Sequence, residues 1–248
     1  LTHLYNEKSS CALGRGVGQT GRLAEANMAQ ALNAIKRFAL VSRMMRVGKV
    51  FILATSAVRE AANRDEFVSA VEALMQTSVQ VLSGEEEAHY AALGAVAGIL
   101  GFTGLVGDLG GGSLELSAIS NGQDTDGQSF ELGVIRLQDD SDGAPAKAAE
   151  IVSARLKGSC IADIDKDSAF AAIGGTTWRA LAKLHQIVTK YPLHMVQHYV
   201  VPADEMIAFC ADIVAADAPK GYDGADQVSS SRRELVPYGA AVLGEVLK

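Results

Sequence analysis

Two carboxylates flank a glycine triplet in the run Asp108-Leu109-Gly110-Gly111-Gly112-Ser113-Leu114-Glu115. Apolar stretches on both sides make the glycines a tight turn between strands, and glycine backbone lets N–H groups approach an anion closely. Asp108 at the strand end suits Mg²⁺, directly or through water, and Glu115 lies seven positions on, on the returning strand. A plain glycine hairpin is the competing reading, though carboxylates on both flanks are unusual for one. Ser83-Gly84-Glu85-Glu86-Glu87-Ala88 opens a helix with three acidic residues in its first turn. The helix dipole accounts for Glu85 and Glu86 without any chemistry. Thr55-Ser56-Ala57-Val58-Arg59 delivers two hydroxyls and an arginine at the end of an apolar strand. The guanidinium fork suits phosphate, and an exposed loop arginine is the bland alternative. Ile173-Gly174-Gly175-Thr176-Thr177 is a strand–Gly-Gly–helix junction whose helix N-terminus could hold an anion. A close strand–helix packing turn explains it equally well.

Other motifs fare worse. Gly16-Val17-Gly18-Gln19-Thr20-Gly21 matches a dinucleotide fingerprint, but residues 6–13 make a poor strand before it, so a glycine turn before a helix is expected. His194 and His198 are four apart, yet Pro192 and the β-rich Tyr199-Val200-Val201 argue against a helix that would pair them on a metal. Arg232-Arg233 reads as a solvated pair and Trp178 as core. No G-x-x-x-x-G-K-[ST] occurs, which excludes a P-loop enzyme.

The elements that must position these residues alternate strand and helix, with 25 glycines gathered at the switches. Helices are expected over 23–44, 65–76 and from Glu85 onward, and strands over 50–54 and 79–82. The strand at 50–54 is apolar throughout, as for one covered on both faces. After Gly101 three consecutive strands are expected, at 105–109, 114–120 and 130–137. Helices then follow at 144–156, 177–188, 203–215 and 237–247, with a strand at 169–173. This change of pattern places a domain boundary near Gly101, giving domains 1–100 and 101–248. The 248 residues, 48% hydrophobic, bury a core easily. A net charge of −7 argues against coating nucleic acid or an anionic membrane surface. Cys11, Cys160 and Cys210 are odd in number and far apart, which points to a reducing, cytoplasmic setting. The longest apolar candidate, 91–105, is broken by four glycines and is too short to span a membrane.

Taken together, ATSAVREAAN (54–63), VLSGEEEAHYAALG (81–94), GDLGGGSLELS (107–117), LGVIRL (132–137), IGGTTWRALA (173–182) and the closing RRELVPYGAAVLGEVL (232–247) resemble the exopolyphosphatase and guanosine pentaphosphate phosphohydrolase family. That family belongs to the superfamily of actin, sugar kinases and heat-shock chaperone ATPases. The resemblance implies an α/β fold of two ribonuclease-H-like domains around a cleft, and hydrolysis releasing orthophosphate from the end of polyphosphate or guanosine pentaphosphate. By resemblance Glu87 matches the catalytic base, and Asp108 and Glu115 the acidic residues on the magnesium and water side. Arg59, with Ser56 beside it, matches the group holding the reacting phosphate, and Gly110, Gly111, Gly112 and Ser113 the phosphate-binding turn. Gly174, Gly175 and Thr176 are the matching second-junction residues, and Mg²⁺ is the implied cofactor.

The family's opening D-x-G-S-N-S motif is not found before Leu4, so two further strands and such a turn are expected upstream of Leu1. Two other readings stay open: a nucleotide kinase or ATPase of the same superfamily, and a non-catalytic guanosine-phosphate-binding module. The oligomeric state is also open, a homodimer included.

Overall fold

The structure is a computed structural model that describes residues 4–157, 168–173, 175–216, 228 and 230–248; Cys160 and Gly174 lie outside them. The chain divides into two compact units, Leu1–Ser83 and Gly84–Lys248.

The first unit holds α1 (Val17–Thr20), α2 (Glu25–Met44), β1 (Ile52–Ala54), α3 (Ser56–Arg59), α4 (Arg64–Met75) and β2 (Val79–Val81). β1 and β2 pair in parallel, with Ile52 opposite Val79 and Ala54 opposite Val81. Among the described residues this sheet has no third strand. The expectation that 50–54 is covered on both faces therefore fails: Ile52 and Ala54 pack toward the α2–α4 core, while Leu53 and Phe51 are 52% and 73% exposed. The glycine-rich 16–21 segment is a single helical turn between Gly16 and Gly21, both in the left-handed region. It follows no strand, as its sequence implied.

One buried side chain fixes the entry into α2. Asn63 Oδ1 accepts the Leu23 N–H at 2.8 Å, and its Nδ2 donates back to the Leu23 carbonyl at 3.1 Å. α4 connects to β2 by similar means, since Glu72 Oε1 accepts the Val79 N–H at 2.9 Å.

The second unit holds α5 (Gly84–Gly98), β3 (Gly104–Leu109), β4 (Leu114–Ser120), β5 (Gln123–Phe130), α6 (Val134–Asp140), α7 (Pro145–Leu156), β6 (Ala169–Ile173), α8 (Thr176–Val188), α9 (Ala203–Ala215), α10 (Ser230–Arg233) and α11 (Val236–Val246). Its sheet runs β5-β4-β3-β6, antiparallel except for β6, which pairs parallel to β3. This is the order of the first four strands of a ribonuclease-H-like sheet.

The third strand is not where composition placed it. Residues 130–137 end β5 and begin α6, and β5 is the polar segment Gln123–Phe130. The device that starts it is Asn121-Gly122, with φ of 53° and 75°. Positive φ at both central residues is the two-residue hairpin turn that suits strand twist, and Asn-Gly is its commonest sequence.

The boundary also lies earlier than Gly101. α5 lays Ala92 and Ala95 against Val106, Ile119 and Ala171 of the sheet, so it belongs to the second unit. On the other face Leu105, Leu109, Leu114 and Leu116 meet α6, α7, α8, α9 and α11 in the main core. α11 is buried from Val236 to Gly244, and Gly239 lets it close on α8: a Cβ there would come 2.4 Å from Thr177 Cγ2. Trp178 is core, as expected, with its Nε1 donating to the Gly239 carbonyl at 3.0 Å. Arg233 is more than a solvated residue, because its Nε and Nη2 both donate to the Val228 carbonyl.

Asn63→Leu leaves the Leu23 N–H and C=O without partners in a site where both residues are buried. A loss of about 1–3 kcal/mol per orphaned group is expected in denaturant unfolding. An unchanged midpoint would show that water replaces the amide there.

Candidate functional site

Strand alternation decides which way the acidic residues face. Leu109 and Leu114 turn into the main core, so their neighbours Asp108 and Glu115 turn to the opposite face, the one covered by α5. The two carboxylates are direct cross-strand partners, because the β3–β4 register pairs Leu109 with Leu114 and Asp108 with Glu115. Seven positions in sequence thus become one rung of the ladder. The next strand extends the row, since Ser129 of β5 stands opposite Glu115.

α5 brings the third carboxylate. A stripe of small residues, Gly84, Ala88, Ala92 and Ala95, lies on the sheet. A Cβ at Gly84 would fall 2.4 Å from Ser129 Cβ, and one at Gly127 would fall 2.9 Å from Ala88 Cβ. No larger side chain would let the helix sit so low. Of the three first-turn glutamates, Glu85 and Glu86 are exposed and Glu87 is half-buried. Glu87 is also the one whose charge is felt at both Asp108 and Glu115.

The cluster holds protons tightly. Burial, and then the Glu87 charge, raise the Asp108 pKa to about 6, although the Gly175 N–H bonds to the carboxylate and opposes the shift. Burial and Glu87 likewise raise Glu115 to about 7, with Asp108 adding to the effect. Two hydroxyls oppose it. Ser129 Oγ donates to Glu115 Oε1 at 2.8 Å, while the buried Ser113 Oγ lies near the same carboxylate with no hydrogen-bond partner among the described residues.

The glycine turn is shaped from behind. The Gly110 carbonyl accepts the Val134 N–H, and the Gly111 carbonyl accepts those of Ile135 and Arg136, at 2.9–3.2 Å. Gly133 closes this contact, since a Cβ there would come 2.3 Å from the Gly111 and Gly112 backbone. None of the three glycines has a left-handed backbone, and close approach is tight only at Gly111, where a Cβ would come 3.1 Å from Ile135 Cδ1. Gly110 N–H is used by the Ser113 carbonyl. The N–H groups of Gly111, Gly112 and Ser113 donate to nothing among the described residues.

The structure therefore brings Glu87, Asp108, Glu115, the 110–113 turn and Gly175 together in the second unit. Thr176, half-buried, begins α8 next to Gly175. Ser56 and Arg59 lie in the first unit, in the single turn after β1, where Arg59 Nη1 donates to the Leu82 carbonyl at 2.9 Å. A cavity of about 430 Å³ in that unit is lined mostly by apolar side chains such as Ile35, Phe38 and Phe67, a poor match for a phosphate. His194 and His198 lie outside any helix, as expected.

The donor set fits a hard divalent cation. Among the described residues no three His, Cys, Asp or Glu side chains are grouped as a complete ligand set. Asp108 and Glu115 supply two carboxylates on adjacent strands, and a Mg²⁺-like ion ordinarily takes one or two carboxylates, waters and substrate phosphate. Sequence reasoning missed Ser129 and Gly127, whose roles rest on contacts of β5 with its neighbours rather than on a motif, and gave no role to Gly133, which lies within LGVIRL and packs on the glycine turn.

Solved structures share this fold. An exopolyphosphatase from Cytophaga hutchinsonii is 22% identical and superposes with a TM-score of 0.79 over 98% of this chain and 81% of that one. The Aquifex aeolicus Ppx/GppA family member, also 22% identical, gives 0.72 over 96% and 78%. In sequence, Exopolyphosphatase 2 of Mycobacterium tuberculosis is 27% identical over 264 residues, covering 100% of this chain and 82% of the relative. Exopolyphosphatase 1 of Mycobacterium bovis is 26% identical, over 97% and 72%. The profile of the Ppx/GppA phosphatase family matches residues 1–248.

The native protein keeps protons on Asp108 and Glu115 that the unfolded chain has released, between the ordinary carboxylate range and about pH 7. Stability contributed below that range is therefore lost as pH rises through it. In chelator, the Tm of wild type relative to Asp108→Asn/Glu115→Gln should fall across this window, and added Mg²⁺ should reduce the fall. A Tm difference that ignores pH would contradict the electrostatic account.

Proposed function

The chain belongs to the Ppx/GppA phosphatase family, and on that premise we propose that it hydrolyses the terminal phosphoanhydride of inorganic polyphosphate, releasing orthophosphate. The observation that carries the reading is the convergence of Glu87, Asp108 and Glu115 beside a turn with three unused N–H groups. Glu87 takes a proton from the attacking water, whose oxygen bonds to the terminal phosphorus. The bridging P–O bond breaks, and its electron pair leaves with the shortened chain. The N–H groups of Gly111, Gly112 and Ser113 donate to oxygens that gain charge. Arg59, with Ser56 beside it, is assigned the phosphate on family resemblance, as are Thr176 and Gly110; Gly175 acts through its N–H on Asp108.

Asp108 and Glu115 would hold the divalent cation, read here as Mg²⁺, which when bound neutralises phosphate charge and polarises the phosphoryl group. Guanosine pentaphosphate offers another terminal phosphate and forms the second arm of the same assay. Release of orthophosphate without ATP separates this reading from a kinase, and turnover separates it from a binding module.

Glu87→Gln should cut turnover by about 10²–10⁴-fold with apparent affinity nearly unchanged, because proton removal matters in the transition state. Arg59→Ala should weaken affinity and turnover together, since its contact is made before and during reaction. Glu86→Gln is the control, exposed and turned about 100° around the helix. Activity lost in Glu86→Gln but kept in Glu87→Gln would refute the assignment.

Product analysis tests the chain-end reading. Gels should show long chains beside free phosphate, or steady shortening. Random mid-length fragments at early times would exclude attack at the end.

A further inference from the structure

Three residues stand in one row across the sheet: Asp108 on β3, Glu115 on β4 and Ser129 on β5. The outermost, Ser129, is exposed, yet its hydroxyl donates to the buried Glu115 Oε1 at 2.8 Å. Directly over it lies the first residue of α5, Gly84, where a Cβ would fall 2.4 Å from Ser129 Cβ and 3.0 Å from its Oγ. Two positions back on the same face of β5, Gly127 admits Ala88 of the next helical turn. The helix that carries Glu87 is therefore seated on the strand whose serine holds Glu115.

We infer that Ser129 is a positioning residue that fixes the Glu115 carboxylate relative to the first turn of α5, and that Gly84 is glycine so that this hydroxyl can keep its place. The inference rests on the hydrolase reading above and assigns to Ser129 no contact with substrate. A carboxylate on a two-carbon side chain can turn about its terminal bonds. The Ser129 donor on Oε1, with the Ser113 hydroxyl near the same carboxylate, restrains that rotation and favours one orientation of Oε2. The exposure of Ser129 separates this role from a packing role: its removal opens no cavity, so the fold has little reason to need it.

The test is a double-mutant cycle on the full chain, read as orthophosphate release from polyphosphate with Mg²⁺. Ser129→Ala should lower kcat by about 10–100-fold, the usual effect of losing a group that orients a functional carboxylate, with KM within about twofold. Its Tm should stay near that of wild type. Gly84→Ala should lower kcat similarly by displacing the hydroxyl, and the double variant should be no worse than Gly84→Ala alone, because both act through one contact. Losses that multiply would overturn the shared route, and wild-type kcat in Ser129→Ala would overturn the role. If Gly84→Ala fails to fold, the kcat-against-KM split and Tm of Ser129→Ala decide alone. Glu87→Gln separates the two layers: turnover lost there but kept in Ser129→Ala defeats only the Ser129 role. A wild-type chain that releases no phosphate defeats the hydrolase reading and this inference with it.

Discussion

Like charges confined at the end of one sheet are the constraint around which the second unit is organised. Asp108 and Glu115 occupy a single rung, mostly out of water, and Glu87 adds a third negative charge from above. Burial and mutual repulsion both resist ionisation there, so the cluster would spread apart on any yielding support. The support is not yielding. Leu109 and Leu114, one position from each carboxylate, are anchored among buried residues of five helices, and Leu114 is 0% exposed. The acidic row is the reverse side of the main core. What stabilises the leucines positions the carboxylates.

The same constraint gives meaning to an uneven charge distribution. Residues 1–83 carry ten Lys and Arg against six Asp and Glu, whereas residues 84–248 carry twelve against twenty-three, for net charges of +4 and −11. A polyanion gains nothing from the average field of the acidic unit. On the proposed reading, attraction must come from a bound cation, from unused N–H groups and from individual arginines. Over the 8–10 Å within which charge is felt at physiological salt, local donors outweigh net charge. The overall −7 argues against a coat for nucleic acid but does not bear on a local phosphate site.

Residues whose work is local were legible in the sequence, and residues whose work is a contact across strands were not. Asp108, Glu115 and the turn between them form one contiguous run in the sequence, while their shared face follows from the register that pairs them across the hairpin. Glu87 could be separated from Glu85 and Glu86 only by resemblance, and its partial burial now distinguishes it physically. The polar strand Gln123–Phe130 was missed because its place is held by the Asn121-Gly122 turn and by pairing with β4, not by apolar alternation. LGVIRL falls in the 130–137 segment expected as a strand, but the start of α6 bonds the carbonyls of the glycine loop and is helical. The boundary moved to Ser83 because α5 has a small-residue face, and such a face does not announce which sheet it covers.

The glycine turn shows why a motif can be recognised for one reason and retained for two. An anion site requires free N–H groups, and those of Gly111 and Gly112 meet that need. Yet their carbonyl sides are also committed, since the start of α6 bonds to Gly110 and Gly111 and Gly133 packs against the peptide units. Each peptide unit carries its donor and acceptor on opposite edges, so tying the carbonyls to a helix turns the donors away from it. The helix thereby fixes the direction of the N–H groups before any ligand arrives, which is the preorganisation that electrostatic stabilisation demands. A side chain at Gly111 would meet Ile135 at 3.1 Å, and one at Gly133 would meet the turn itself. Such changes displace the donors by displacing α6, so loss of activity in them reports the packing behind the turn as much as the phosphate in front of it.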